Sequence, residues 1–296
     1  MNNEESPLVF SYEAMGCIWN IMLWDQVTNE EFNILKAEVV KKTQGFETTY
    51  SRFISSSFLI SLSSLRDFVE TPPDCVPILR LYKRFYKATE GKFNPLIAGT
   101  LEDIGYDPSY SLIPKEIIRE AGDFLECVEI IDDSHIRLLK KGLRFDFGGL
   151  GKGYFVDIIK DYLEEKSLKR FLVNGSGDMF YKGSGEKIRA GLEHPQDSSK
   201  AIGVMEIENG SLCSSASNRR KWGKYHHIID ATTSVSPDEV LATWVRADTT
   251  VIADGLATCL FFTPPEILQK EFDFQYCILN KEMKVKKSKR FKAELF

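Results

Sequence analysis

The sequence predicts an α+β fold. Strand-like and helix-like segments follow one another without the strict strand–helix alternation of a doubly wound parallel sheet. The 296 residues are 43% hydrophobic and 27% charged, a globular composition long enough for one large core or two lobes sharing a site. No repeat, low-complexity stretch or Pro/Gly/Ser-rich linker divides the chain. We therefore expect residues 1–296 to form a single domain.

The N-terminal part combines strands with two helices. Val9–Trp24 has strand character because β-favouring residues cluster there. Asn29 is predicted to cap a helix over Glu30–Thr43, where apolar residues recur at helical spacing. A second helix is predicted over Val76–Thr89, with its apolar residues on one side and Gly91 as its stop.

The C-terminal part continues the mixture. Phe145–Phe147 is predicted to end a strand and Tyr154–Glu165 to form a helix. A strand at Phe171–Val173 leads into a glycine turn at Asn174–Asp178, and the last clear helix contains Ala253–Phe262.

Charge and cysteine usage narrow the function classes. The net charge of −5 does not favour a nucleic-acid or membrane-surface binder. The basic run Lys281–Lys292 is expected to be a solvated strand and tail rather than a polyanion patch. The six cysteines are far apart and form no C-x-x-C pair, which argues against a disulfide framework or zinc site. We see no signal peptide or lipobox and no apolar run that could span a membrane, so we expect a cytoplasmic protein.

The most informative segment is RFDFGGLGKGYFVD, Arg144–Asp157. It combines a carboxylate, Asp146, with a tight turn at Gly148–Gly151 and with Lys152 at a predicted helix start. Such a turn brings backbone close to a ligand, and a helix N-terminus attracts phosphate. The glycine spacing fits neither a P-loop nor a Rossmann fingerprint. By itself the segment fits a phosphate site and an ordinary turn with a surface lysine about equally.

Asp146–Asp157 resembles the segment D-[LF]-G-G-x-[AG]-K-G-[YF]-x-x-D of the ApbE-like FAD:protein FMN transferases. Further short segments resemble those of this family and occur in the family's order, so the resemblance covers nearly the whole chain. These segments are Met15–Cys17, Tyr50–Ser57, Thr89–Pro95, Asn174–Asp178, Tyr225–Asp230 and Ala253–Thr258.

The resemblance implies a Mg²⁺-dependent enzyme. Such an enzyme moves the FMN half of FAD onto a threonine or serine of an acceptor flavoprotein and releases AMP. It also implies a domain of mixed sheets and helices in two lobes, with FAD between them. The residues it implies for FAD binding are Met15, Phe53, Lys92, Phe93, Asn94, Asp146, Lys152 and Pro237.

Asp254 and Thr258 are four residues apart on a predicted helix, so their side chains share one face. A pair of oxygen ligands suits Mg²⁺. The residues alone favour a structural interpretation over a metal site, with an aspartate near a helix start and a threonine that bonds back to the backbone. The resemblance implies the metal interpretation and adds the backbone carbonyl of Gly149 as a third ligand. Because a carbonyl ligand tolerates any side chain, the glycine raises no objection there.

Histidine is scarce, and His135 and His194 are expected at the surface. His227 lies near Asp230, where a histidine can be an oriented base or simply a structural residue. The resemblance implies that His227 and Asp230 belong to the catalytic site. Whether His227 acts as the base, orients Asp230 or contacts the flavin stays open.

The chain departs from the family pattern at several positions. The family's D-P-x-T-G is replaced by Asp230–Ser234, DATTS, which loses both proline and glycine. A positive φ at Ser234 would be strained, so we expect this turn to be built differently. Cys17, Phe58 and Ser63 also replace the family's threonine, glutamate and asparagine.

Three other functions compete with the transferase. The same site with water as the acceptor would be an FAD pyrophosphatase. A flavin-binding module without catalysis is disfavoured because Lys152, His227, Asp254 and Thr258 are all present. An ordinary flavin oxidoreductase lacks support from a Rossmann fingerprint. The acceptor protein and the oligomeric state do not follow from the sequence.

Overall fold

A computed structural model of the protein describes residues 6–296. Residues 1–5 lie outside the described residues. They are part of the predicted single domain and of the N-terminal segment on which the cytoplasmic prediction depends. Helices and strands are interspersed along the chain, and every strand pairing in the described part is antiparallel. The predicted α+β class is therefore confirmed, and a parallel doubly wound sheet is excluded.

Four long helices and four short ones are distributed along the described chain. Their bounds are α1 Asn29–Tyr50, α2 Phe58–Ser61, α3 Cys75–Ala88, α4 Ala98–Asp103, α5 Phe124–Cys127, α6 Gly151–Glu165, α7 Thr250–Cys259 and α8 Pro265–Leu268.

Most strands lie in the N-terminal hairpin and in the second half of the chain, and β3, β4 and β5 lie between them. Their bounds are β1 Leu8–Ala14, β2 Cys17–Leu23, β3 Asp67–Glu70, β4 Val128–Ile130, β5 His135–Leu138, β6 Phe171–Gly175, β7 Asp178–Lys182, β8 Ile188–His194, β9 Asp197–Ile207, β10 Asn209–Ala216, β11 Lys221–Trp222, β12 Tyr225–His226, β13 Val240–Ala247, β14 Phe274–Asn280, β15 Val285–Lys287 and β16 Ala293–Leu295.

An eight-stranded sheet in the order β1-β2-β6-β7-β10-β13-β14-β15 organises the molecule. Strand β10 joins its two halves, because residues Asn209–Leu212 pair with β7 and residues Cys213–Ala216 pair with β13. Helix α6 packs against β6 and β7, and α7 packs against β10 and β13. The two helices also pack against each other, which brings their N-terminal turns together over the centre of the sheet.

Aromatic side chains fill the main core between the sheet and the helices. Trp19 of β2 is fully buried, and its ring centroid lies 5.7 Å from that of Phe155 on α6 in an edge-on arrangement. A second core, which includes Leu192, Met205 and Trp244, lies where the sheet β16-β9-β8 covers the larger sheet. Burial of each such side chain stabilises the fold by about 1.5–3 kcal/mol.

Helix α1 begins and ends differently from the prediction. Thr28, not Asn29, is the N-cap: its hydroxyl accepts the Glu31 N–H at 3.2 Å, and the Glu31 carboxylate accepts the Thr28 N–H at 2.7 Å. This reciprocal pair forms a capping box. The helix continues past Thr43 because Phe46 and Tyr50 extend the same buried face.

The strand predicted at Phe145–Phe147 is wrong. Burial alternates along the segment as in a strand, but its backbone joins no sheet. Instead the Asp146 N–H donates to the Pro95 carbonyl at 2.8 Å, and the Tyr82 hydroxyl donates to the Asp146 carbonyl at 3.2 Å. The segment is thus an extended loop fixed from both sides.

The remaining predicted elements are confirmed with shifted ends. Val9–Trp24 forms the hairpin β1–β2, the second helix is α3, and Gly91 follows it with a φ of +87°. The later predictions correspond to α6, β6 and α7, although α7 ends before Phe262. All six cysteines are free thiols, and the basic C-terminal run contains the exposed strand β15. Within residues 6–296, no helix combines the length and apolar character needed to cross a bilayer.

Candidate active site

A cavity of about 700 Å³ collects candidate residues from distant parts of the chain. Its volume is that of a small-molecule site. All candidate residues except Asp230 and Pro237 line it. These lining candidates are Met15, Phe53, Lys92, Phe93, Asn94, Asp146, Gly149, Lys152, His227, Asp254 and Thr258.

The crossing of α6 and α7 builds one end of the cavity. A Cβ atom at Gly153 would lie 2.6 Å from the Asp254 Cβ, so only glycine allows this close approach. The same approach lets the Gly153 N–H donate to Asp254 Oδ2 at 2.8 Å. The first turn of α6 is therefore hydrogen-bonded to the carboxylate of Asp254, the predicted metal ligand.

One lysine and two buried aspartates lie at this end of the cavity. Lys152 forms an ion pair with Asp178, whose side chain is fully buried. Asp254 is also buried; burial raises the pKa of its carboxyl group, while the Lys152 charge and the Gly153 N–H lower it. Two buried carboxyl groups thus share one ammonium group. Sequence reasoning missed Asp178, although it lies in the glycine turn that the motif comparison identified.

Hydroxyl groups complete the charged end. Thr258 lies one helical turn after Asp254, and its Oγ1 is 3.4 Å from Ser215 Oγ. Ser214 and Ser215 of β10 both line the cavity. Side-chain oxygens of Asp254, Thr258 and Ser215 therefore line this end of the cavity.

Aromatic rings and one buried arginine form a second region of the lining. The Phe53 ring stacks on Tyr110 with centroids 5.4 Å apart and meets Tyr106 edge-on at 5.6 Å. Arg52 lies against both Phe53 and Tyr106, and its Nε is 2.6 Å from Asp146 Oδ2. No short motif contains Tyr106 or Tyr110, and Arg52 occupies the variable position of its motif. These three residues were missed at the sequence level.

Gly149 lies between the two regions against Phe93. A Cβ atom at Gly149 would be 2.6 Å from the Phe93 ring, which is buried and stacked on Tyr82 with centroids 5.1 Å apart. A carbonyl ligand places no demand on the side chain of its residue, but the contact with Phe93 does. Packing demands glycine here, whatever its carbonyl binds.

Several candidate side chains have structural partners. Lys92 Nζ donates to the Phe262 carbonyl at 3.0 Å. The Asn94 amide donates to the Gly122 carbonyl at 2.9 Å, and its oxygen accepts the Leu96 N–H. These two residues shape the cavity wall through contacts inside the fold.

His227 is the histidine that faces the cavity. Its Nδ1 is buried and has no hydrogen-bond partner among the described residues. Burial, assisted by the Arg220 charge, lowers the pKa of His227 to about 3, so the ring is neutral near pH 7. The neighbouring His226 instead has its Nε2 2.7 Å from the Pro237 carbonyl oxygen. Pro237 therefore supports the histidine segment without lining the cavity.

Asp230 closes its own turn and does not line the cavity. Its carboxylate accepts the Thr232 N–H at 2.9 Å and the Thr232 hydroxyl at 2.6 Å. Ser234 adopts a φ of +58° and donates its N–H to the Asp230 carbonyl at 2.8 Å. Serine therefore adopts the left-handed conformation at the position of the family's glycine, where this conformation is strained for a residue with a Cβ atom.

The model of the ApbE family matches residues 15–275. The chain belongs to the ApbE family. An FAD:protein FMN transferase of Vibrio cholerae is 28% identical over 265 residues, covering 83% of this chain and 78% of that relative. One of Klebsiella pneumoniae is 28% identical over 140 residues, covering 45% of this chain and only 43% of that relative. The crystal structure of the ApbE protein of Thermotoga maritima superposes with a TM-score of 0.85 at 18% identity, covering 96% of this chain and 98% of that one. The last likeness shows the shared ApbE fold.

Proposed function

We propose that this chain transfers the FMN half of FAD to a threonine or serine hydroxyl of an acceptor flavoprotein. One observation carries the proposal: residues of family motifs scattered from Met15 to Thr258 line a single cavity. Its aromatic and charged regions suit the two chemical parts of FAD. Relatives that match most of this chain are FAD:protein FMN transferases, which agrees with this assignment.

The flavin ring would lie in the aromatic region beside Phe53, and the pyrophosphate would lie at the start of α6 near Lys152. A helix N-terminus with free N–H groups and a neighbouring ammonium group attracts phosphate. Because Lys152 is already paired with Asp178, its position is fixed before the ligand arrives. Such preorganised charge is more effective in a transition state than a mobile one.

In the proposed reaction the acceptor hydroxyl oxygen attacks the FMN-side phosphorus. The bond between that phosphorus and the bridging oxygen breaks, AMP leaves with the bridging oxygen, and the proton of the acceptor hydroxyl is released with AMP. Alignment and charge stabilisation would supply most of the rate. The neutral His227 ring, with its unpartnered Nδ1, is suited to a hydrogen bond with the reacting groups and is a weak base.

The donors present fit Mg²⁺. Asp254, Thr258 and the Gly149 carbonyl supply oxygen, the ligand type that Mg²⁺ prefers. No group of three or more His, Cys, Asp or Glu able to hold a metal occurs within residues 6–296, so the protein alone offers a partial set. Burial raises the pKa of Asp254, and a cation bound there would stabilise its ionised form as the Lys152 charge does. Bound there together with substrate phosphate, Mg²⁺ would neutralise charge on the pyrophosphate.

We also infer that residues 1–296 act as a single domain. The N-terminal strands β1 and β2 and the C-terminal strands β14 and β15 belong to one sheet, and β16 pairs with β9. The cavity is lined by residues from Met15 to Phe262, so distant parts of the chain build one site.

Asp254→Asn tests the proposal because it removes the charge and keeps the shape. In extracts of the host cell lacking the native gene, wild-type protein should restore covalent flavin fluorescence on a denaturing gel. Asp254→Asn should not restore it. Asp161→Asn, an exposed aspartate on α6, serves as the matched control and should restore it fully. Fluorescence restored equally by Asp254→Asn would refute the assigned role.

A further inference from the structure

Arg52 is a buried cation with incomplete bonding. Only 2% of its side chain is exposed, and its ion pair is with Asp146. None of its three guanidinium nitrogens makes a well-directed hydrogen bond to the described part of the chain. The Asp146 carboxylate also accepts the Gly148 N–H at 2.6 Å. The ion pair therefore fixes the position of the arginine, and the N–H groups of Nη1 and Nη2 remain free to donate to a ligand.

Unsatisfied buried donors are costly in a folded protein. A guanidinium group carries five N–H donors in a rigid plane, and one carboxylate cannot satisfy them all. Leaving a buried charged donor unpaired destabilises the fold, so such a group commonly marks a binding site. Arg52 lines the cavity, and a ligand there can supply the missing acceptors.

The surroundings of Arg52 identify the kind of acceptor. The guanidinium carbon lies 4.1 Å from the Phe53 ring centroid and 4.5 Å from that of Tyr106. These contacts place Arg52 in the aromatic region, whereas Lys152 contacts Asp178 in the charged region. Rings beside a planar donor suit a flat heterocycle that has oxygen acceptors on its edge. A phosphate group would instead be drawn to the start of α6.

We propose that Arg52 recognises the carbonyl oxygens of the isoalloxazine ring through Nη1 and Nη2, while its ion pair with Asp146 fixes its orientation. The inference rests on the proposed function, because it takes the ligand of this cavity to be a flavin. It assigns to Arg52 the selection of a flavin ring over other groups that could be attached to a pyrophosphate.

Binding to the flavin ring and binding to the phosphates can be measured separately with two ligands that each contain one part of FAD. Riboflavin carries the ring without phosphate, and ADP carries phosphates without the ring. Calorimetric titration of Arg52→Met should show riboflavin affinity weakened by about tenfold to a hundredfold. ADP affinity should be unchanged, which also shows that the variant is folded. Arg84→Met is the matched control, since Arg84 likewise pairs with a carboxylate, Glu271, and lies over a ring, but at the exposed surface. It should change neither affinity.

Arg52→Lys keeps a cation beside Asp146 and provides the test if the methionine variant does not fold. It loses the planar pair of amino groups and should also weaken riboflavin binding selectively. Equal weakening of riboflavin and ADP, or no weakening of either, would overturn the inference. Wild-type protein that binds FAD and ADP but not riboflavin would overturn it as well. Wild-type protein that does not bind FAD would instead refute the proposed function.

Discussion

Gly153 lies where α6 crosses α7, and Gly153→Ala should destabilise the fold and disturb the charged end of the cavity. The added Cβ would lie 2.6 Å from both the Asp254 Cβ and the Thr250 carbonyl oxygen, and 2.8 Å from the Val251 Cα. These atoms belong to or lie next to the α7 backbone and cannot rotate away. The two helices must therefore separate.

Three contributions determine how far Gly153→Ala lowers the free energy of unfolding. Overpacking of this kind costs about 1–3 kcal/mol, and weakening the buried bond from Gly153 to Asp254 costs about 1–3 kcal/mol more. The better helix propensity of alanine returns about 1 kcal/mol. We expect the free energy of unfolding to fall by about 1–5 kcal/mol, a large share of the stability of a typical domain.

Urea unfolding followed by tryptophan fluorescence measures this loss, since the buried Trp19 packs against Phe155 of α6. The matched control is Gly151→Ala, two residues earlier on the same helix. There the nearest atom to an added Cβ is Phe46 Cε1, at 3.9 Å. The control should be neutral or slightly stabilising. Unchanged stability of Gly153→Ala would refute the close approach of α6 and α7.

Three further predictions concern other parts of the molecule. Gly45→Ala, in α1 with no atom within 4 Å of an added Cβ, should raise the free energy of unfolding by about 0.5–1 kcal/mol in the same urea assay. Burial lowers the pKa of His227 to about 3, so between that value and the ordinary value near 6.5 the unfolded chain binds a proton that the folded chain does not. Stability should therefore fall as the pH is lowered from 7 to 5, and His227→Asn should reduce this slope by up to about 1.4 kcal/mol per pH unit; an equal slope would contradict the buried neutral ring. Asp230→Ala should lose its turn contacts and about 1 kcal/mol of stability while FAD affinity in a fluorescence titration stays the same. Weakened FAD binding would show that Asp230 does reach the cavity.

The sequence predicted the regular elements where periodicity and packing agree. Helix α3 was located nearly to its ends because its apolar residues face one way and Gly91 follows it. The strand prediction at Phe145–Phe147 was wrong because alternation of apolar residues indicates which side chains are buried. It does not indicate whether the backbone pairs with another strand. A loop pinned to Pro95 shows the same alternation as a strand.

The candidate site was predictable where chemistry is concentrated in short motifs. The turn before α6 and the start of α7 identified Lys152 and Asp254, and the fold places both at one end of the cavity. Contacts between distant segments could not be predicted in this way. The pairing of Lys152 with Asp178 and the rings around Arg52 depend on which chain segments meet.

The proposed transferase differs from an FAD pyrophosphatase in that a protein hydroxyl, not water, accepts FMN. Its most direct test is mass spectrometry of host-cell proteins from cells with and without this gene, combined with AMP assays on the purified protein given FAD and Mg²⁺. We predict FMN attached through a phosphoester to threonine or serine only when the gene is present, and little AMP release without an acceptor. Rapid conversion of FAD to free FMN and AMP by the protein alone, with no modified acceptor in the cells, would contradict the claim.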